Sequence, residues 1–298
     1  MIPARARRET LGLAILALAA SCAPDTTAPR TPATPPNFDI VLLSSTTVVV
    51  SPTTPNGWAF FDDNGNGGAG AFVAGPGSPP AGVGSAELQV AALNQGYALG
   101  AALYAGTRFA DMTMLEYSTY RQSVDPGNNL AIALQFNLDH DVTDANNLFQ
   151  GRLVFEPYQT FPATVVQGVW QTWNPMAGRW WRTSSLARRN EYANPADCLQ
   201  ALPCSWTQIL LNWPNAGVHP VLGAVILKAG SGWASFTGNA DKLPIGVSGD
   251  DTTYDFEPYI VATDSDQCKN GGWQNVRRAD GSTFINQGDC VSYTKTGK

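Results

Sequence analysis

From Leu130 to Leu138 every second residue is large and apolar. Leu130, Ile132, Leu134, Phe136 and Leu138 alternate with Ala131, Ala133, Gln135 and Asn137. A period of two is that of a strand with one buried face. Related patterns predict strands within 85–93, 114–120, 149–155, 221–227 and 252–261, and an apolar, β-branched run predicts one within 38–50. Clusters of Gly, Pro, Asn and Asp separate these runs, and the 29 Gly and 21 Pro suit a fold with many turns. One segment reads as a helix: Ser205 is placed to cap 206–212, and Pro214 stops it. Ten or more short strands over roughly 210 residues predict one large domain, and with few helices to cover them two sheets must face each other. The expected class is all-β, a two-sheet, jelly-roll-like β-sandwich over 38–262, with another sandwich topology as the alternative. No internal repeat is present, which counts against a propeller.

The chain before residue 38 has a different character. Arg5, Arg7 and Arg8 form a basic start, and Leu11 to Ala20 is an apolar stretch of ten residues. That is too short to span a bilayer and has the form of a signal peptide over 1–21. The small residues Ala19, Ala20 and Ser21 precede Cys22, and Leu18-Ala19-Ala20-Ser21-Cys22 resembles a lipobox, departing from it at Ala19, where Leu is usual. The resemblance implies that Cys22 becomes the lipid-bearing first residue of an exported lipoprotein; the alternative is ordinary cleavage and release. Ala23 to Asn37 is nearly all Ala, Pro and Thr. Such a segment buries too little apolar area to offset its ordering entropy, and it reads as a disordered tether from residue 22 to 37. Lipid would then be the only membrane anchor.

The chain carries 18 Lys+Arg against 24 Asp+Glu, a formal charge of −6, and loss of residues 1–21 would leave it near −8. That argues against nucleic acid and against electrostatic docking on anionic lipid. With Cys22 assigned to lipid, four cysteines remain. An oxidising compartment makes disulfides the expectation, and nearest neighbours pair Cys198 with Cys204 and Cys268 with Cys290; four cysteines allow two other pairings. Loop closure gives about 2 kcal/mol for the smaller loop and about 3 kcal/mol for the larger. The spacing is unlike a zinc knuckle, and His140 and His219 stand apart.

Several blocks recur as a set: Val48-Val49-Val50-Ser51-Pro52 with Gly57-Trp58; Gly75-Pro76, Pro79-Pro80 and Gly84-Ser85; Tyr117-Ser118-Thr119-Tyr120; Gly151-Arg152-Leu153 with Glu156-Pro157-Tyr158; Lys228-Ala229-Gly230-Ser231-Gly232-Trp233; and Thr253-Tyr254-Asp255-Phe256-Glu257. Over roughly 46–257 the chain resembles a family of uncharacterised exported bacterial domains, similar in pattern to lectin-like jelly rolls. The resemblance carries no catalytic residues over. Residues 266–298 resemble a tail found on exported bacterial proteins, through Cys268-Lys269-Asn270-Gly271-Gly272-Trp273 and Phe284-Ile285-Asn286-Gln287-Gly288-Asp289-Cys290-Val291. The pattern supports a Cys268–Cys290 bridge. The physical expectation for 263–298 is a small disulfide-closed hairpin with Trp273 and Phe284 as its core and a locally basic tip at 277–281.

Three groups of residues are candidates for chemistry. Asp62, Asn64 and Asn66 have the alternate spacing of a calcium loop, with Gly67 at the turn and Asp255 or Glu257 as further ligands; Val73 stands where an EF-hand has Glu, and a plain polar turn is the alternative. Trp170, Trp173, Trp180 and Trp181, interleaved with Arg179 and Arg182, could stack on sugar faces, or simply pack the sandwich. Neighbours on a strand point to opposite faces, so only one of Trp180 and Trp181 can be core. Glu116 and Glu156 could form a hydrolytic acid pair, although the Glu-x-Asp-x-x-Glu motif of lectin-fold glucanases is missing. His140, in Asp139-His140-Asp141, is expected in a solvated loop, and neither histidine has a Gly-x-Ser-x-Gly partner. No phosphate-binding loop precedes a helix. These readings favour an extracytoplasmic, non-catalytic binding protein with carbohydrate as ligand class. A structural envelope protein is the alternative, and a glycan-cleaving enzyme follows it.

Overall fold

A computed structural model of the chain describes residues 44–123, 129–160, 165–183 and 198–298. The expected signal peptide, Cys22 and tether lie outside the described residues. In chain order the strands are β1 (Ser45–Val50), β2 (Trp58–Asp62), β3 (Ala69–Ala74), β4 (Gly84–Val90), β5 (Gly96–Ala101), β6 (Met112–Leu115), β7 (Tyr117–Arg121), β8 (Ala133–Asp139), β9 (Arg152–Phe155), β10 (Trp170–Trp173), β11 (Arg179–Arg182), β12 (Cys204–Ser205), β13 (Gly217–Val218), β14 (Val225–Gly230), β15 (Phe236–Asp241), β16 (Leu243–Val247), β17 (Asp250–Phe256), β18 (Ile260–Val261) and β19 (Val276–Arg277). The α-helices are α1 (Pro157–Thr160), α2 (Trp206–Asn212) and α3 (Gln287–Thr296).

These strands build a two-layer β-sandwich. One layer is the eight-stranded sheet β12-β11-β9-β8-β14-β5-β2, with β13 beside β8. The other joins the five-stranded sheet β10-β7-β15-β4-β3 to the four-stranded sheet β1-β17-β16-β6. The chain passes between these two sheets at Glu116, from β6 to β7, and at Lys242, from β15 to β16. The 114–120 run therefore splits into two strands rather than one. Glu116 N–H still reaches Pro244 O of β16 at 3.1 Å, extending the β6–β16 pairing to the point of crossing. Pairing is antiparallel throughout the layers except for β1, which runs parallel to β17.

Aromatic rings close the space between the layers. Tyr117 of β7 meets Phe155 of β9 edge-on at 6.1 Å, and Trp58 of β2 meets both Tyr254 and Phe256 of β17 at 5.2 Å. Tyr117 would bury a hydroxyl, but it donates to Ile132 O at 2.8 Å. Leu134, Phe136 and Leu138 point into this core as the alternation predicts. The opposite face of β8 is less open than predicted, because Ala133 and Gln135 are buried too.

Helix α2 begins as expected: Ser205 Oγ accepts from Gln208 N–H while the Gln208 side chain accepts from Ser205 N–H, a capping box. Both disulfides join nearest neighbours, Cys198–Cys204 and Cys268–Cys290. In the tail, the hairpin expectation is corrected. The segment folds as two 3-10 turns, the short parallel pair β18-β19, and helix α3. Asn286 caps α3 through Asp289 N–H, and Gly297 ends it in the left-handed conformation, local signals that outweigh a second strand. Phe284 is buried with Cys268, Cys290, Ala262 and Val276, and Trp273 packs against them half-buried. The tip is not a free basic patch. Arg278 forks onto Asp289 at 2.6 and 2.7 Å and lies over the Phe284 ring.

Candidate functional site

Strand parity decides what lies on the outer face of the eight-stranded sheet. Leu134 and Phe136 of β8, Leu153 and Phe155 of β9, Trp180 of β11 and Leu227 of β14 all belong to the core. Gln135, Arg152, Trp181 and Lys228 alternate with them and so share the opposite face. The sheet order β11-β9-β8-β14 makes them neighbours. With Asp63, just past β2, and Glu156, just past β9, they line a groove of about 890 Å3 whose wall includes Tyr158, Gln200 and Trp233.

The floor of the groove is an ion cluster. Arg152 forks onto Asp63, Nη2 to Oδ1 at 2.6 Å and Nη1 to Oδ2 at 2.9 Å, and Lys228 Nζ reaches Oδ2 at 2.5 Å. Arg152 also donates to Gln135 Oε1 at 3.2 Å. Burial alone would raise the Asp63 pKa, but the two cations hold it below the usual carboxylate range. Such a forked, charge-assisted pair fixes donor directions as well as charge.

Glu156 stands beside this cluster, 6% exposed. Its Oε2 accepts from Trp181 Nε1 at 2.8 Å, Gln159 Nε2 at 3.2 Å, Tyr158 OH at 3.3 Å and Gln200 Nε2 at 3.4 Å. Burial pushes its pKa up, and these donors partly oppose the shift. The bond to Trp181 also fixes the plane of the indole, which is half-buried against the groove. The site thus offers directed donors, buried acceptors and an aromatic ring in one polar depression.

Of the four tryptophans proposed as a platform, the groove holds Trp181. Trp180 is fully buried, packed on Phe136, Phe155 and Trp206 and donating to Pro175 O. Trp173 is buried and donates to Thr119 Oγ1. Both are corrected to core residues. Their side-chain N–H groups are satisfied inside the protein, and no ring face is left for a ligand. Trp170 lies in the other layer, tied to Pro76 O at 2.9 Å. Arg182 turns inward over the Trp213 ring, and Arg179 is exposed.

The acid pair does not form. Glu116 lines a separate depression with Thr113, Lys242 and Pro244, while Glu156 lies in the groove. His140 is buried rather than in a solvated loop: its backbone N–H and Nδ1 both meet Gln150 Oε1, and its ring edge packs on Trp213. His219 is buried as well, with Nδ1 accepting from Val221 and Leu222 N–H.

In the 62–67 turn, Asp62 accepts backbone N–H groups from Asn64, Gly65 and Gly67, which lowers its pKa. Asn64 donates to Asn94 O, and Asn66 to Asn64 O. The local hydrogen bonds of a polar turn thus engage these side chains, and Asp255 and Glu257 sit instead against the 81–84 turn. Among the described residues no group of three or more His, Cys, Asp or Glu is placed to hold a metal ion. Among them, too, no helix is long and apolar enough to cross a membrane.

Sequence reasoning missed Asp63, Gln135, Arg152 and Lys228. Parity could have placed the last three on one face, since each alternates with apolar core residues. Two blocks of the family resemblance, 151–158 and 228–233, meet in the groove.

No protein-family model matches the chain, and no curated protein matches it. Solved structures similar to it include the family 11 carbohydrate-binding module of the cellulosomal cellulase Lic26A-Cel5E of Clostridium thermocellum, at 12% identity over 64% of this chain and 88% of that one, with a TM-score of 0.35. A family 11 carbohydrate-binding module from Clostridium thermocellum in complex with a β-1,3-1,4-mixed-linked tetrasaccharide matches at 11% identity over 68% and 91%, with a TM-score of 0.34. Likeness at that level settles no function, and the sandwich stands on its own strand pairing.

Proposed function

We propose that the protein is an extracytoplasmic, non-catalytic carbohydrate-binding protein, lipid-anchored through Cys22, with the groove over Asp63, Arg152, Glu156, Trp181 and Lys228 as its sugar site. The observation that carries this reading is the joint placement of a fixed ion cluster and a half-buried indole on one sheet face. A sugar presents hydroxyls at its edge and C–H groups on its faces. The Arg152–Asp63–Lys228 cluster suits the first and the Trp181 ring the second.

The test is a glycan array probed with the purified protein, repeated with Trp181→Ala and Trp170→Ala. Saturable binding to a glycan class is expected, weakened about tenfold or more by Trp181→Ala, as for a buried anchor residue, and unchanged by Trp170→Ala. Absence of binding to every glycan would favour the structural envelope role. One observation favours hydrolysis, namely that Asp63 and Glu156 share the groove. Release of reducing ends, abolished by Glu156→Gln, would replace binding by cleavage.

A further inference from the structure

Outside the groove, one cluster of ionisable groups has no counter-charge. Asp241 ends β15, and Asp255 and Glu257 lie at the end of β17. All three are at most 7% exposed, and among the described residues no Lys or Arg forms an ion pair with any of them. Burying three carboxyl groups without a cation is strongly unfavourable unless protons or a metal neutralise them.

Their hydrogen bonds divide them. Asp241 is occupied by backbone donors: Ala81 N–H reaches Oδ2 at 2.9 Å and Phe256 N–H reaches Oδ1 at 3.3 Å. Glu257 Oε1 accepts from Val83 N–H at 2.7 Å. Glu257 Oε2 and Asp255 Oδ1 are buried and no donor reaches them. Both carboxyls point at Gly82, which has a left-handed φ of 51°. A Cβ there would overlap Glu257 Oε1 and stand 3.2 Å from Asp255 Oδ1. The missing Cβ is what admits the Glu257 carboxyl at this point. Asp255 also lines a depression of about 650 Å3 with Thr47, Thr54 and Asn56, through which an ion could reach it from solvent.

We propose that Asp255 and Glu257 bind a divalent cation of the calcium type, with Asp241 adding charge from behind. Two carboxylates neutralise one Ca2+, and buried oxygens without donors are what a hard cation requires. The competing arrangement is a proton shared between the two carboxyls. This site is independent of the groove, so the two readings stand or fall separately.

The experiment titrates the EDTA-stripped protein with Tb3+, excited through tyrosine. Tyr259, two residues beyond Glu257, serves as the antenna. Emission should saturate at one ion per chain and be displaced by Ca2+. Ca2+ at a hundredfold excess over its Kd should raise the melting temperature by roughly 5–10 °C. Asp255→Asn and Glu257→Gln should lose both responses. In metal-free buffer they should melt above the wild type, since each removes one of two repelling charges, and in calcium below it. Asp62→Asn should behave as wild type. If Glu257→Gln does not fold, Asp255→Asn and the wild-type stoichiometry decide. A wild type that neither saturates with Tb3+ nor responds to Ca2+ would overturn the site in favour of the shared proton. Loss of binding in Asp62→Asn with retention in Asp255→Asn would move the ion to the 62–67 turn.

Discussion

Glu156 shows what a single residue contributes to the groove. Burial raises its pKa, and donors from Trp181, Gln200 and Tyr158 oppose the rise without cancelling it. A carboxyl whose folded-state pKa lies above its unfolded value holds its proton more tightly when folded. Stability is therefore greatest below the unfolded pKa and is lost as pH rises through the folded one. Glu156→Gln has no proton to lose. Thermal melts of the two proteins should agree best near pH 4, and the variant should gain on the wild type as pH rises towards neutrality. Parallel curves across that range would mean that the carboxyl is not held above its ordinary value. That Trp180 and Trp181 face opposite sides of the sheet was legible in two adjacent letters of the sequence, and the structure puts Trp180 in the core. That Glu156 anchors the Trp181 indole was not, because the bond joins residues from β11 and the end of β9 whose adjacency depends on sheet order. The expected partner, Glu116, fails for the same reason: its strand leads into a different sheet.

At the scale of elements, alternation located β1, β4, β8, β9, β14 and β17 but not β2, β3, β5, β10, β15 or β16, nor the points where the chain changes layer. The 114–120 run reads as one strand because its period of two continues through Glu116, and nothing local marks the bend. The tail shows the opposite failure. Its two cysteines, Trp273 and Phe284 form the stapled miniature core expected, yet in place of a hairpin a 3-10 turn, β19 and a run of turns lead into helix α3, which carries Cys290. The local signals for that helix are the cap at Asn286 and the glycine at 297. So small a core, five buried residues, gives the disulfide most of the work of holding the segment. Cys268→Ser with Cys290→Ser should lower the stability of residues 260–298 by about 3 kcal/mol on a chain-entropy account. Amide exchange in α3 should then accelerate while exchange in β8 and β14 stays slow. If the core strands accelerate equally, the tail is a cooperative part of the sandwich and not a separately stapled unit.

For the whole molecule, the groove and the proposed N-terminal anchor draw on different residues, and a prediction can be built on that separation. The groove lies on β8, β9, β11 and β14, and every group in it comes from residues 63–233. If Cys22 carries lipid, the fifteen residues 23–37 have a contour of roughly 45 Å when extended. The full chain expressed in a bacterial host should then sediment with membranes, and its N-terminal peptide should carry acyl mass on Cys22. Cys22→Ala should move the protein to the soluble extracytoplasmic fraction and leave glycan binding unchanged, since no groove residue is touched. A Cys22→Ala protein that still sediments with membranes, or a wild type whose Cys22 carries no acyl group, would remove the lipid anchor from this account. The sugar site would survive either result, because the address rests on residues 1–22 and the site on the outer face of one sheet.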